Sequence, residues 1–367
     1  MKPEIIAYYL PQFHPFKEND EWWGKGFTEW TNVGKAKPLY KGHYQPKVPA
    51  DLGYYDLRVP EVREQQVELA KEAGVYGFCY WHYWFGNGFQ LMNDIIDDVA
   101  ASGKPDFPFC LGWANESWKA KLWNKDGKGD KVLAEQKYGG EEDYRSHYEY
   151  VKTLITNKNY IRIENRPFFL IYQPFDSPEV PKIMKLWNKW IKEDGIADSF
   201  YFVASIKEEK LRDKVLSMGF DAITIAPGLR LDLTYKFNKN YFQRAILKIM
   251  RIFRQVPRVM SMKDFNKLNP KHGYDDDERT IPSILPQWDH TPRSGVKGYV
   301  LEGTPKLFEK QCEDVLNMVK HKKNKLIFLK SWNEWGEGNY MEPDLKNGKG
   351  YIEALRQAIN KVCGEHN

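Results

Sequence analysis

Leu326-Ile327-Phe328-Leu329-Lys330-Ser331-Trp332-Asn333-Glu334-Trp335-Gly336-Glu337-Gly338 passes from an apolar run directly into two carboxylates framed by tryptophan and glycine. Four consecutive large apolar residues read as a strand buried on both faces, as in a parallel sheet. Beyond the C-terminal end of such a strand the sheet meets solvent and ligand. Glu334 and Glu337 are therefore expected where α/β enzymes keep their active sites. Paired carboxylates suit glycoside cleavage, because one protonates the leaving oxygen or activates water while the other manages charge at the sugar. Trp332 and Trp335 offer flat apolar faces to a pyranose ring. The plainer reading makes the segment a solvated loop beside two core tryptophans.

Working outward, similar apolar runs recur at 5–9, 75–80, 107–113, 168–172, 201–205, 222–226, 283–288 and 326–331, separated by helix-like or loop segments. Eight such alternations predict a (β/α)8 TIM barrel. Pro60 and Pro305 each stand where a helix opens, the first carrying Val62, Leu69, Ala70 and Ala73, the second Leu307, Phe308, Val315 and Met318. A doubly wound sheet is the rival fold, but it calls for a glycine-rich turn after the first strand, and Leu10-Pro11-Gln12-Phe13-His14 is no such turn. The 367 residues are read as one catalytic barrel domain, 1–367. Two connections exceed an idealised barrel: a long N-terminal active-site loop over 11–60, and an insertion over 228–280 between the sixth and seventh strands.

Hydrophobic residues make up 42% of the chain and charged residues 29%, which is enough core to exclude long disorder. Aromatic residues reach 15%, an excess that sugar binding would use and that core filling would otherwise absorb. The net charge of +5 comes from scattered Lys and Arg without a single-sign tail, so no nucleic-acid partner is expected. Cys79, Cys110, Cys312 and Cys363 form no C-x-x-C pair and imply reduced thiols. Met1-Lys2-Pro3-Glu4 leads straight into the first apolar run, leaving no room for a signal peptide. No apolar run is long enough to span a bilayer. The expectation is a soluble cytoplasmic protein; its oligomeric state is not legible.

Other candidate residues gather at strand ends. Asn115-Glu116 leaves the third strand after Trp113 as Asn333-Glu334 leaves the eighth, and an Asn beside a catalytic Glu suits a hydrogen bond to a sugar hydroxyl. His82 and Tyr83 follow the second strand within an aromatic cluster, where His82 is either a substrate contact or a satisfied structural histidine. Tyr9, Gln12 and His14 leave the first strand, followed in the long loop by Glu29 and Trp30, with Glu29 either binding hydroxyls or fixing the loop. After the seventh strand, Asp289 beside Trp288 either pairs with Arg293 or faces the ligand. No metal or cofactor is expected, since ligand clusters of the H-E-x-x-H or Cys/His type are missing. Asp275-Asp276-Asp277-Glu278 satisfies the Asp-x-Asp pattern with which sugar-nucleotide transferases hold a divalent ion, and equally reads as a solvated acidic loop. No G-x-S-x-G elbow supports serine hydrolysis.

The insertion carries a basic amphipathic helix from Tyr241 to Gln255. Arg244, Lys248, Arg251 and Gln255 share one face; Phe242, Ile246, Ile249, Met250 and Phe253 share the other. One reading packs the apolar face on the barrel and leaves the charged face in water. The other holds the protein at the anionic inner membrane face through Arg244, Lys248, Arg251 and Arg254.

Taken together, Ala7-Tyr8-Tyr9-Leu10-Pro11-Gln12-Phe13-His14, Gly26-Phe27-Thr28-Glu29-Trp30-Thr31-Asn32, Asp51-Leu52-Gly53-Tyr54-Tyr55-Asp56, Trp113-Ala114-Asn115-Glu116, Trp288-Asp289 and Trp332-Asn333-Glu334-Trp335-Gly336-Glu337-Gly338 resemble the WbsX-like proteins over nearly the whole chain. Those are relatives of glycoside hydrolase family 99, the endo-α-1,2-mannosidases and mannanases. The narrower resemblance to family 99 implies a retaining, metal-independent mechanism. Glu334 would take the proton of the sugar 2-hydroxyl, whose oxygen attacks C1 to give a 1,2-anhydro sugar. Glu337 would protonate the leaving oxygen and later activate water. The chain carries His290 where the related Trp-Asp-Asn-Thr-Pro-Arg motif has Asn. WbsX-like proteins accompany O-antigen and capsule assembly and are often described as glycosyltransferases. The expectation is a glycoside hydrolase or transglycosylase acting on bacterial surface oligosaccharide or polysaccharide, with a glycosyltransferase or a non-catalytic carbohydrate-binding protein as alternatives.

Overall fold

A computed structural model describes residues 2–120, 131–237 and 239–364. Eight strands form a nearly closed parallel barrel with helices around it. In chain order they are β1 (Glu4–Tyr9), β2 (Gly77–Gly86), β3 (Phe109–Trp113), β4 (Arg166–Ile171), β5 (Tyr201–Ile206), β6 (Ala222–Ile225), β7 (Ser283–Ile284) and β8 (Leu326–Leu329). Hydrogen bonding orders them β6-β5-β4-β3-β2-β1-β8-β7. The (β/α)8 expectation therefore holds, and each of the eight apolar runs overlaps a barrel strand.

Two compact units divide the chain: Met1–Pro15, Gly26–Phe78 and Ile225–Asn367 in one, Phe16–Lys25 and Cys79–Thr224 in the other. In the first, β8 pairs in parallel with β1 from Glu4↔Leu326 to Ala7↔Leu329, and with β7 at Ser283↔Phe328 and Ile284↔Leu329. With both edges paired and both faces covered, as in parallel sheets, 326–329 is uniformly apolar and buried. Pro60 opens the helix Pro60–Ala73 and Pro305 opens Pro305–Val319. Thr304 caps the latter, its hydroxyl accepting from the Leu307 amide. In the second unit, β4 pairs in parallel with β3 and β5 through equally apolar registers, Leu111↔Phe169 and Phe169↔Phe202 among them.

The seventh strand is shorter than expected. Pro286 lacks the N–H that a further ladder bond needs, so β7 ends at Ile284. Trp288–Asp289 leaves the barrel and joins a separate sheet, antiparallel to Tyr299–Glu302, which itself pairs in parallel with Arg258–Ser261.

The insertion holds the helices Pro227–Lys236 and Tyr241–Arg254. Phe242, Ile249 and Phe253 are exposed at 71%, 54% and 83%. Of the two readings of this helix, the one that packs its apolar face on the barrel does not hold, because that face is exposed. Among the described residues no helix is long and apolar enough to cross a membrane.

Candidate active site

The eighth strand hands the chain to a short hairpin that carries both carboxylates. Asn333–Glu334 pairs antiparallel with Asn339–Tyr340, and Trp335–Glu337 forms the single turn between them. Ser331 fixes the base of the hairpin, because its hydroxyl donates to the Asn339 carbonyl at 2.7 Å and accepts from the Glu334 amide at 3.2 Å. Glu334 is thereby rooted at a strand end, while Glu337 sits in the turn. Gly338 closes that turn with φ +55, and an added Cβ would stand 2.7 Å from the Asp289 Cβ and 2.9 Å from the Lys47 Nζ.

One guanidinium gathers three carboxylates. Arg293 Nη1 donates to Glu337 Oε1 at 2.7 Å, Nη2 lies 2.9 Å from Glu29 Oε2, and Nη2 reaches Glu334 Oε2 at 3.4 Å. Glu29 enters from the long loop as the first residue of the helix Glu29–Gly34, whose cap is the Thr28 hydroxyl. Its carboxylate rests against the hairpin backbone, where a Cβ on Gly336 would lie 1.9 Å from Glu29 Oε2. His290 Nε2 stands 3.6 Å from Glu337 Oε1. Side-chain exposure is 4% for Glu29 and 6% for Glu334 against 17% for Glu337, so Glu337 is the carboxylate nearest solvent.

Burial and charge push the hairpin carboxyls apart. Burial, reinforced by the charge of Glu337, raises the Glu334 carboxyl above its ordinary range. Burial opposes the charge of Glu337 too, but Arg293 and His290 overrule it and hold that carboxyl well below the ordinary range. Glu337 is thereby favoured as the charged partner and Glu334 as the one that holds a proton. This order is the reverse of the one the family 99 resemblance implies.

Asp289 neither pairs with Arg293 nor opens to solvent. His43 Nε2 lies 2.8 Å and Gln45 Nε2 2.6 Å from its Oδ2, while its Oδ1 accepts from the Thr291 amide and hydroxyl. Asp289 thus holds Thr291, the first residue of the short helix Thr291–Ser294 that carries Arg293. Lys47, buried alongside, donates to Gln287 Oε1 and the Gly338 carbonyl, and burial lowers its ammonium to about 8. A second buried chain supports the hairpin. Tyr9 donates to Gln66, Gln66 to Glu342, and Glu342 also accepts from Tyr55 and from Trp335 Nε1 at 2.6 Å.

Several expected sugar contacts have other tasks. Asn333 spends its carboxamide on the Leu10 backbone, accepting from the amide at 2.8 Å and donating to the carbonyl at 3.0 Å. Trp335 is buried and stacks on Tyr340 at 3.7 Å, and Trp332 is fully buried against Phe78, so neither offers a free face. Trp30 donates its indole N–H to the Tyr55 carbonyl and packs on Phe13 and Trp335. Tyr9, Gln12 and His14 are buried. Trp288 is half-buried and stacks on His290.

The second unit holds the remaining candidates. Asn115 repeats the Asn333 arrangement on another strand end, accepting from the Gln173 amide and donating to its carbonyl, each at 2.8 Å. Glu116 is exposed and accepts from Gln173 Nε2 at 3.0 Å. His82 Nε2 lies 2.8 Å from His147 Nε2, and burial lowers the imidazole to about 3, so it is a neutral, structurally satisfied histidine. Tyr83 and Trp113 are buried, with Trp113 donating to the Trp84 carbonyl. In the first unit the acidic run is tied down: Asp275 pairs with Arg230 at 3.0 Å, and Glu278 accepts from the Lys323 and Asn324 amides.

Sequence reasoning missed Arg293 as the centre of the cluster, together with His43, Gln45, Lys47, Gln66 and Glu342. A basic residue four positions after Asp289 was visible; its three acidic partners were not.

Comparison with known proteins adds relatives to this geometry. WxcX of Xanthomonas campestris pv. campestris is 34% identical over 98% of this chain and 50% of its own length. The chain thus spans about half the length of the curated relatives it matches. Among solved structures, a glycoside hydrolase-like protein superposes with TM-score 0.59 at 15% identity, covering 98% of this chain and 94% of its own. The GH99 endo-alpha-mannosidase of Bacteroides thetaiotaomicron, in complex with bis-tris-propane, gives 0.55 at 15% identity, covering 98% and 97%. Those likenesses are of fold. Residues 5–355 match the glycosyltransferase WbsX family, and the chain belongs to that family.

Proposed function

We propose that this protein is a glycan-active enzyme that breaks or transfers glycosidic bonds of bacterial surface oligosaccharides or polysaccharides, using Glu334 and Glu337. The observation that carries the reading is a pair of carboxyls on one hairpin, sharing Arg293, with proton affinities driven in opposite directions. One group is suited to give a proton and the other to take one, which glycosidic cleavage requires.

In the reaction, the sugar 2-hydroxyl gives its proton to one carboxylate and its oxygen attacks C1. The C1–O bond to the leaving group breaks, and the leaving oxygen takes a proton from the other carboxyl. Opening of the 1,2-anhydro sugar by water gives hydrolysis, and opening by another hydroxyl gives transfer. The resemblance assigns Glu334 as base and Glu337 as acid, in which case the glycan must draw Arg293 off Glu337 as it binds. A second assignment follows from the 2.7 Å contact itself: Glu337 acts as base and Glu334 as acid.

Purified protein incubated with defined bacterial glycans, with and without nucleotide sugars, and read by mass spectrometry, tests the activity and separates cleavage from transfer. Glu334→Gln and Glu337→Gln should each lower turnover by about 10²–10⁴. With an aryl glycoside whose phenolate leaves unaided, the variant of the acid recovers and that of the base does not. Losses below tenfold in both variants would remove the pair from the chemistry.

A further inference from the structure

The chain's positive charge is concentrated in one segment. From Arg230 through Arg258, both included, stand eight Lys or Arg and one acid, Asp232, a net +7 where the whole chain carries +5. The same segment concentrates exposed apolar surface. Of fifteen large apolar side chains exposed among the described residues, six lie on the helix Tyr241–Arg254: Tyr241, Phe242, Ile246, Ile249, Met250 and Phe253. At 3.6 residues per turn the last five fall in one arc. Arg254 borders that arc, Lys248 lies on the far side, and both are exposed. A flexible basic stem next to an apolar arc, as at Arg254, lets its charged end reach a surface while the arc sinks below it.

The start of the helix is fixed locally. Asn240 and Gln243 make a reciprocal capping box, each side chain accepting from the other's backbone amide at 2.9 Å. Arg244 Nε adds a bond to the Lys239 carbonyl at 2.9 Å. A preformed helix with large aromatic and aliphatic groups outward and a basic surround has the chemistry of an interfacial membrane helix. Its charge disfavours a second copy of the same face, since like charges would meet. We propose that Tyr241–Arg254 docks this protein on an anionic phospholipid surface, with Phe242, Ile246, Ile249 and Phe253 entering the acyl boundary, Arg254 meeting lipid phosphates at the edge of the arc, and Lys248 adding attraction from the water-facing side within a Debye length. The inference is independent of the glycan chemistry.

Co-sedimentation of the full chain with phosphatidylcholine vesicles, alone or mixed with phosphatidylglycerol, tests it at low and high salt. Binding is expected only with phosphatidylglycerol and should weaken with salt. Lys248→Glu with Arg254→Glu should lower partitioning at least about 30-fold. Phe242→Ser with Phe253→Ser should lower it at least about tenfold with the melting temperature unchanged, because both side chains are exposed. Absence of binding at low salt, or equal binding to both vesicles, would overturn the proposal. So would a dimer in sedimentation velocity that the serine variant abolishes, which would give the face to a second copy.

Discussion

Arg293 reaches Glu337 at 2.7 Å and in the same geometry stands 2.9 Å from Glu29, so the loop after β1 and the hairpin after β8 are tied through one guanidinium. Burial works against the charge of Arg293, but Glu29, Glu337 and Glu334 overrule it and keep it a cation. Removing that cation raises both hairpin carboxyls, because each is lowered by it. Arg293→Met should therefore move the pH profile of kcat/KM to higher pH and cost about 3 kcal/mol of stability. Arg293→Lys should shift it less, since one ammonium cannot serve three carboxylates at once. An unmoved profile in the Met variant would separate Arg293 from the protonation of the pair.

Gly336 is required by Glu29 rather than by its own backbone. A Cβ there would meet Glu29 Oε2 at 1.9 Å and Arg293 Nε at 3.0 Å. Gly336→Ala should cost about 1–3 kcal/mol by overpacking and should lower activity by displacing Arg293. Adding Glu29→Ala opens the space, so a double-mutant cycle should show partial recovery of stability. Strict additivity of the two losses would place the alanine methyl elsewhere.

The barrel was legible because strands buried on both faces leave continuous apolar runs, and 326–329 and 168–171 are such runs. The seventh strand was over-read past Pro286. The two glutamates of the hairpin were legible from their position after β8, but their electrostatic centre was not, since Glu29 and Arg293 lie 264 residues apart and His43 and Asp289 lie 246 apart. Side-chain type misled at Trp335 and Asn333, where a sugar platform and a sugar hydrogen bond proved to be core packing and a backbone clamp. On the insertion helix, periodicity separated the two faces correctly. It carries no information about which face finds a partner, and the apolar one is exposed.

Asn333→Ala tests the clamp against the sugar-contact reading. The change leaves the buried Leu10 amide and carbonyl without their partner, at about 1–3 kcal/mol for each unsatisfied group. The melting temperature should fall, and KM for a glycan substrate should stay within a few-fold. Asn115→Ala should destabilise likewise through the Gln173 backbone. A raised KM with unchanged melting would return Asn333 to the substrate.

Glu342 gives a stability signal that the catalytic pair does not. Its carboxyl is pushed from 4.5 up to about 7 by burial, against the opposing pull of Trp335, Gln66 and Tyr55. A folded-state value above the unfolded one means that the folded protein binds the extra proton. The stability from this group is complete below the unfolded value and is lost as pH rises through the folded one. Glu342→Gln carries no titrating proton, and Gln66 can turn its carboxamide so that Tyr9 accepts instead of donating. Relative to the parent, the variant should gain stability between pH 5 and 8, by at most about 3 kcal/mol. Urea unfolding of both proteins at the two pH values measures the difference. An identical gap at both would show that Glu342 is charged throughout, with its three donors outweighing burial.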